Sequence, residues 1–429
     1  MDLELSVTPE KKATLVSLIC EDFEHHSTEE QSRHSLSELR ELCRTLGITT
    51  GEQHLQKRKS LDPATMLGKG KLLEIAEAAK AEGSEYLVFD FELTASQMRN
   101  IHKLTDLEIR DRCLIILEIF AHHARTKEAK IQIEISRLEY MLPRLQSLWT
   151  HFSKQKGGIG LKGEGEQQLE LDRRILRKKI ERYKKELAAI EVSREVQRKK
   201  RQKKAVTAAL IGYTNAGKSS VMNKLCRVNV LSEDKLFATL DSTFRMLNPD
   251  TQPPMILIDT VGFIQNLPSS LVEGFKTTLE SALEADLLII VCDLSDPNYK
   301  THLKVTQEVI AELNIENKEQ IIVFNKRDKV KDPFLPRIAM RNLRASFLIS
   351  TQNESDIKDL RNYVINYFLE KQDHYDLFVP YEDGSAHSKV HGKTNVIKEG
   401  HHEDGIFYRI RVPGFIFNQL GLETYLLKE

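Results

Sequence analysis

Cysteine is scarce and unpatterned in this chain. Cys20, Cys43, Cys113, Cys226 and Cys292 lie far apart and are odd in number, with no C-x-x-C pair and no Cys/His cluster. That argues against a disulfide framework and a zinc site, and it fits a reducing cytoplasm. Cys226 and Cys292 fall in an expected helix and an expected strand, where a small buried thiol is the expected role. Long apolar runs are missing too. A stretch such as Leu287 to Cys292 is far too short to span a bilayer. The opening residues, MDLELSVTPEKK, are acidic and hold no apolar signal core, so secretion is not expected. The expected location is the cytoplasm, with peripheral membrane association compatible and a membrane span not. Net charge is also absent, since 63 Lys and Arg balance 63 Asp and Glu.

The balance hides an uneven distribution. From Asp172 to Lys204 the chain carries fifteen Lys/Arg against five Asp/Glu. An excess of that size on one helical stretch points to a polyanion partner or to a solvated coiled-coil face, and charge alone leaves both open.

Residues 1–120 alternate helical and strand signals and read as a small α/β domain. Helices are expected over Lys11 to Phe23 and Ser35 to Leu46, and a strand near Glu85 to Phe91. Asp111 to Phe120 reads as a further β-like apolar run, and Gly68-Lys69-Gly70-Lys71 as an ordinary turn before a helix at Leu72. Residues 121–204 turn helical. Ile131, Ile135, Leu138, Leu142, Leu145 and Leu148 recur at three- and four-residue steps, as do Leu176, Ile180, Tyr183, Leu187 and Ile190. Two such helices sharing one apolar seam make an antiparallel hairpin, interrupted in its first arm by Pro143. The tip, residues 156–166, holds five glycines in eleven residues, more chain than a helical turn requires. With Trp149, His151, Lys154 and Lys156 beside it, and the basic helix adjoining, the tip is expected to meet RNA. The seam is satisfied within one chain, so a monomer is expected.

Residues 205–370 alternate strands (Ala205 to Ile211, Met255 to Asp259, Leu287 to Asp293, Gln320 to Asn325, Ser346 to Ser350) with helices (Leu271 to Leu283, Leu303 to Leu313, Ile357 to Leu369). That pattern predicts a doubly wound, mainly parallel sheet with ligands at the carboxyl ends of its strands. Residues 371–429 read as a small C-terminal appendage, β-rich within an α/β whole. Its His387, His391, His401 and His402 lack acidic or Cys partners at ligand spacing, so no metal is expected there.

The motifs sit at those strand ends. Gly212-Tyr213-Thr214-Asn215-Ala216-Gly217-Lys218-Ser219 fits G-x-x-x-x-G-K-[ST] between a buried strand and a helix start. Glycines let the backbone N–H groups turn toward phosphate oxygens, Lys218 reaches the β- and γ-phosphates, and the Ser219 hydroxyl ligates Mg²⁺. Phe237-Ala238-Thr239-Leu240-Asp241 lies in the loop after the first helix, where a threonine can complete the Mg²⁺ shell. Asp259-Thr260-Val261-Gly262 ends a strand, with Asp259 serving the metal through water and the Gly262 N–H serving the γ-phosphate. In Asn325-Lys326-Arg327-Asp328 the carboxylate matches the N1 and 2-amino hydrogens of guanine, a donor pair adenine lacks, so GTP or GDP is the expected ligand. Ser350-Thr351-Gln352 follows a third strand and offers backbone contacts to the guanine oxygen. Phe263 stands where many GTPases carry a water-orienting glutamine, so slow intrinsic hydrolysis is expected, with Lys218 and Gly262 as the groups that act on the reacting phosphate.

In these motifs the chain resembles the HflX family of ribosome-associated GTPases over about residues 45–370. The resemblance extends to Gly68-Lys69-Gly70-Lys71, Ser96-Gln97-Met98-Arg99-Asn100, Arg125-Thr126-Lys127-Glu128, and Gly165 to Glu170 with Asp172-Arg173-Arg174. It implies a P-loop GTPase domain preceded by a small α/β domain and the hairpin. It also implies Ser219 and Thr239 as Mg²⁺ ligands, with Thr243 as the local competitor. The implied partner is the large ribosomal subunit (50S) and its RNA. The implied function is ribosome-stimulated GTP hydrolysis that splits or rescues ribosomes under stress, against the alternative of a nucleotide-dependent binding module with negligible turnover. Three places depart from the family's pattern: Asp241-Ser242-Thr243-Phe244-Arg245, Thr351, and Glu164 in the tip.

Overall fold

A computed structural model of the chain describes residues 12–21, 23, 26–145, 162–202, 205–227, 236–237, 243–248, 254–265, 285–341, 343 and 345–427, the side chains of 162–169, 193–202, 248 and 415 excepted. The chain divides into two compact units. One holds residues 1–190, 234–241 and 264–277; the other holds 191–233, 242–263 and 278–429.

The first unit begins with β1 (Lys12–Ile19), α1 (Glu29–Thr45), β2 (Thr49–Lys57), α2 (Lys69–Ala81), β3 (Tyr86–Phe89), α3 (Ala95–Thr105), β4 (Glu108–Asp111) and α4 (Arg112–His123). Its four strands form a parallel sheet in the order β2-β1-β3-β4. Two expectations are corrected here. The segment read as a helix from Lys11 is strand β1 from Lys12 to Ile19, because its apolar side chains are buried on both faces. Leu15, Val16 and Leu18 are all fully buried. A covered parallel strand reads as a continuous apolar run, which periodicity does not separate from a buried helix. Conversely, the β-like run from Asp111 is helix α4, whose N-cap Asp111 accepts from the Leu114 N–H at 2.9 Å. Asp90 pairs with Arg112 at 2.8 Å at the carboxyl end of this sheet, and Arg112 also meets Glu38.

Asp111 is fully buried, and burial pushes its carboxyl up to about 6, against the pull of the Leu114 and Leu93 N–H groups and of Arg144. The folded value lies above the ordinary 3.8. Its contribution to stability is therefore fully present below about pH 4 and is lost as pH rises through about 6. In urea titrations the wild type should gain about 1 kcal/mol relative to Asp111→Asn between pH 7 and pH 5. A difference independent of pH would show that the carboxyl is ionised throughout.

α5 (Lys127–Met141) ends in a 3-10 turn, Leu142–Arg144, where Pro143 withholds its N–H. α6 (Lys162–Gln202) follows. Ile131, Ile135 and Leu138 of α5 bury Ile180 of α6, with Leu142, Leu176, Tyr183, Leu187 and Ile190 packed around them, as the hairpin seam requires. Lys179–Glu134 and Lys184–Glu139 bridge its flanks at 2.9 and 2.7 Å. The expected tip loop is shorter than read from its glycines: 162–166 are helical, while 146–161, with Leu148, Trp149 and 156–161, lie outside the described residues.

The second unit carries β5 (Val206–Gly212), α7 (Lys218–Leu225), β6 (Thr243–Asn248), β7 (Met255–Asp259), β8 (Leu287–Asp293), α8 (Tyr299–Glu312), β9 (Gln320–Asn325), α9 (Leu335–Ala339), β10 (Ser346–Leu348) and α10 (Glu354–Glu370). The six strands run in the order β10-β9-β8-β5-β7-β6, parallel except for the β6 edge. The helix expected over Leu271 to Leu283 lies outside the described residues. β5 is central, and Leu210, Leu257, Ile289 and Val323 from adjacent strands share one core with Val221 and Leu360 of the helices.

The C-terminal part adds β11 (Asp373–Pro380), α11 (Gly384–Lys393), β12 (Asn395–His401), β13 (Gly405–Val412) and α12 (Gly414–Leu420). Its antiparallel sheet has the order β11-β13-β12. His387 and His391 place ring nitrogens 2.8 and 3.2 Å from the buried Tyr408 hydroxyl. Among the described residues no helix is long and apolar enough to cross a membrane.

Candidate functional site

The site gathers where β5, β7, β8, β9 and β10 end. β5 delivers the chain into the loop at Gly212, whose φ is 148°, and a Cβ there would stand 2.1 Å from the Val291 carbonyl oxygen. Asn215 (φ 56°) and Gly217 (φ 91°) take left-handed turns, and a Cβ on Gly217 would meet Asn325 Nδ2 at 2.3 Å. Only glycine fits at 212 and 217. The turns leave the loop's backbone N–H groups at the start of α7.

Lys218 folds back over the loop. Its Nζ donates to the Tyr213 carbonyl at 2.8 Å and the Gly212 carbonyl at 3.2 Å. Burial pushes this ammonium down to about 8, while the Asp259 carboxylate pulls it back up. Ser219 Oγ donates to Asp259 Oδ2 at 2.7 Å, so hydroxyl and carboxylate from separate elements stand side by side. Both are hard oxygen donors of the kind Mg²⁺ prefers. Gly262 closes the cradle, since a Cβ on it would reach Lys218 Nζ at 2.9 Å and Thr214 Cα at 2.8 Å. The buried Thr214 Oγ1 faces no hydrogen-bond partner among the described residues. Thr260 Oγ1 donates to the Leu210 carbonyl at 2.7 Å and ties β7 to β5. Val261 is buried.

Phe263 is 3% exposed and pinned by its backbone: its N–H donates to the Gly212 carbonyl at 3.0 Å and its carbonyl accepts from Thr214 N–H at 2.7 Å. An apolar ring is thereby fixed beside the phosphate loop.

The second half of the site comes from β9 and β10. Asn325 Nδ2 donates to the Ala216 carbonyl at 3.0 Å, bracing the loop, and Lys326 Nζ donates to the Asn215 carbonyl at 2.9 Å. Asp328 Oδ1 accepts from Ser350 Oγ at 2.5 Å, and that hydroxyl holds the carboxyl below its ordinary range. Ser350 Oγ also accepts from Gln352 N–H at 3.2 Å, and Arg327 pairs with Asp356 at 3.1 Å. Thr351 sits between Ser350 and Gln352 in the same turn.

Other predicted residues stand elsewhere. Phe237 falls in the first unit, left-handed at φ 57° and buried, its ring edge-on to Phe120 at 4.5 Å. Ala238, Thr239, Leu240 and Asp241 lie outside the described residues. Thr243, the alternative to Thr239, lies in β6 opposite Asp259 across the ladder. Sequence reasoning missed Asp293, which holds Lys326 Nζ at 2.8 Å, and His302, whose ring stacks on Tyr213 at 3.8 Å. Asp293 was the traceable one, since it ends a parallel strand.

Comparison with known proteins supplies the family. Residues 207–326 match the family model described as 50S ribosome-binding GTPase. Residues 33–121 and 123–201 match those described as GTP-binding GTPase N-terminal and GTP-binding GTPase Middle Region. The chain is 38% identical over 393 residues to the GTPase HflX of Lacrimispora saccharolytica, covering 91% of this chain and 92% of that one. The chain belongs to the HflX GTPase family. The HflX of Escherichia coli is 36% identical over 390 residues, covering 90% of this chain and 91% of that one. A GTP-binding protein of Sulfolobus solfataricus solved with GDP is 24% identical, with a TM-score of 0.44 over 83% of this chain and 98% of that one. HflX membership makes the chain a GTP hydrolase.

Proposed function

We propose that the chain hydrolyses GTP on the large ribosomal subunit, stimulated by it, and so splits or rescues ribosomes under stress. The observation that carries the reading is Phe263, a buried ring clamped to the phosphate loop where an unaided GTPase needs a side chain that orients water. Phenylalanine holds no water by hydrogen bond, so an ordered attack awaits groups or ordering supplied by a partner.

In this reading the N–H groups of Asn215 and of Gly217 to Ser219 cradle the phosphates, and Lys218 leaves its two carbonyls for the β- and γ-oxygens. Gly262 N–H meets the γ-phosphate. Ser219 and Thr239 would hold Mg²⁺ with Asp259 near by, and the ion would supply positive charge against the charge that develops on the phosphates. Asn325 braces the cradle, while Lys326, Arg327, Asp328 and Ser350 to Gln352 form the guanine pocket. The hairpin, residues 121–204, serves as the arm between the N-terminal domain (1–120) and the GTPase domain (205–370). Arg174, Arg177, Lys178, Arg182, Lys184 and Lys185 are exposed along α6 and supply an RNA-facing surface. A monomer fits the hairpin seam, whose apolar residues are packed within the chain.

The test is GTP turnover by the purified chain, alone and with large ribosomal subunits. Slow basal turnover rising at least tenfold with subunits is expected, and Phe263→Ala should alter the stimulated rate. A rate that subunits leave unmoved would sink the ribosome-stimulated reading.

A further inference from the structure

The three-stranded C-terminal sheet has two unlike faces. Leu377, Val379, Tyr408, Ile410 and Val412 point to one of them and pack with Ala386 and Val390 of α11 and Phe417 and Leu420 of α12. Residues point alternately to opposite faces of a strand, so their neighbours in sequence line the other face. There Phe378 of β11 lies directly opposite Phe407 of β13, and both are partly exposed. Phe407 is in turn opposite Gly400 of β12. A Cβ placed on Gly400 would meet nothing nearer than His402 Nε2 at 4.0 Å, so the sheet is bare beside the ring. The His402 ring lies 6.1 Å from that of Phe378.

The next rungs are cationic. Arg409 stands between Asp376 and Lys398, and Arg411 between His374 and Asn395. Arg409 binds Asp376 through two bonds of 2.7 and 2.6 Å, which fixes its plane and leaves half the side chain exposed. Arg411 Nε meets His374 Nε2 at 3.2 Å. Three cations face one carboxylate. None of the paired positions on this face carries Leu, Ile or Val, so those positions present aromatic rings and cations, the combination that stacks bases and holds phosphates.

We infer that this face binds single-stranded or loop RNA, with bases stacked on Phe378 and Phe407 and phosphates held by Lys398, Arg409 and Arg411. Paired aromatics on adjacent strands, with cations one rung away and open sheet beside them, form a stacking platform. Every base has a face to offer such a platform, whereas a duplex hides its bases. The contact is separate from the hairpin and requires neither GTP turnover nor a ribosome.

The test uses the full chain and an eight-nucleotide oligouridine carrying 4-thiouridine. Irradiation should crosslink the RNA to peptides containing residues 373–380 or 405–412, mapped by mass spectrometry. The double variant Phe378→Leu/Phe407→Leu keeps apolar volume and removes the π faces. It should lose those crosslinks and about tenfold in affinity or more by fluorescence anisotropy, with basal GTP turnover unchanged. Phe407→Tyr should retain both. Arg411→Ala should lower the salt slope of binding by about 1. Crosslinks found only elsewhere overturn the inference, as does unaltered binding by the leucine variant with an unchanged melting curve. Competition by duplex RNA as strong as by single strands also overturns it. Loss of binding to a ribosomal protein with RNA binding intact would reassign the face to a protein partner. Failure of large subunits to stimulate turnover leaves every one of these outcomes readable.

Discussion

Lys218→Ala is expected to weaken GTP binding about a thousandfold while leaving the chain folded. The proposed role gives the ammonium two phosphate contacts, and charge-assisted hydrogen bonds contribute about 1.5–3 kcal/mol each. Together they reach about 4 kcal/mol, or a factor near a thousand in affinity. The folding side of the balance is mild. Nζ donates to the Gly212 and Tyr213 carbonyls, but Gly212 O also accepts from Phe263 N–H at 3.0 Å and Tyr213 O from Ala216 N–H at 3.3 Å. Neither carbonyl is stranded when the lysine goes. Removing an ammonium that burial already disfavours further limits the cost. Calorimetric titration with GTP and Mg²⁺, set beside thermal unfolding of the same variant, checks both halves. Affinity within tenfold of wild type would mean that the phosphates sit away from this loop. A collapse in unfolding temperature would mean that the lysine's two carbonyl bonds matter more than assumed.

How much of this was legible in the sequence follows from the range of the interactions that fix each part. The loop at 212–219 and the strand ends at 259–262 and 325–328 are short segments whose residue types are set by local turn geometry, and they meet around the end of β5. The hairpin seam was legible for a similar reason, since a helix carries its own period. β1 and α4 exchanged identities because both are apolar all round, and burial on every side erases the period that distinguishes them. The β6 edge went unread because Phe244 and Met246 are its exposed residues, at 41% and 54%, which inverts the alternation expected of a half-buried strand. Lys326 reaching Asn215 and His302 stacking on Tyr213 join positions about 110 and 90 residues apart, and Lys326 meets Asp293 across the ends of two strands. No spacing rule announces contacts of that kind. Phe263 was legible as an absence of glutamine; its backbone clamp to the loop was not.

Asp328→Asn is expected to turn a guanine site into a xanthine site. Ser350 Oγ donates to Asp328 Oδ1, and this hydroxyl keeps the carboxyl below its ordinary range, so the group is an ionised acceptor at neutral pH. Two acceptor oxygens suit the N1 hydrogen and 2-amino group of guanine. An asparagine replaces one of them with an amine that would face the guanine amine, donor against donor. A site that leaves such polar groups unmatched rejects its ligand strongly, and a loss of about a hundredfold or more in GTP affinity is the expected scale. Xanthine carries a carbonyl where guanine has that amine, so the same amide then finds an acceptor and XTP affinity should rise by a comparable factor. The scaffold should survive, because the Asn carbonyl can still accept from Ser350 Oγ, and Ser350 N–H remains bonded to Asp356 at 2.8 Å. Competition of GTP and XTP for a fluorescent guanine nucleotide, run on both proteins, separates the possibilities. A parallel loss of both nucleotides would indicate a damaged loop, and unchanged GTP binding without any gain in XTP would place the base outside the pocket formed by Asp328 and Ser350.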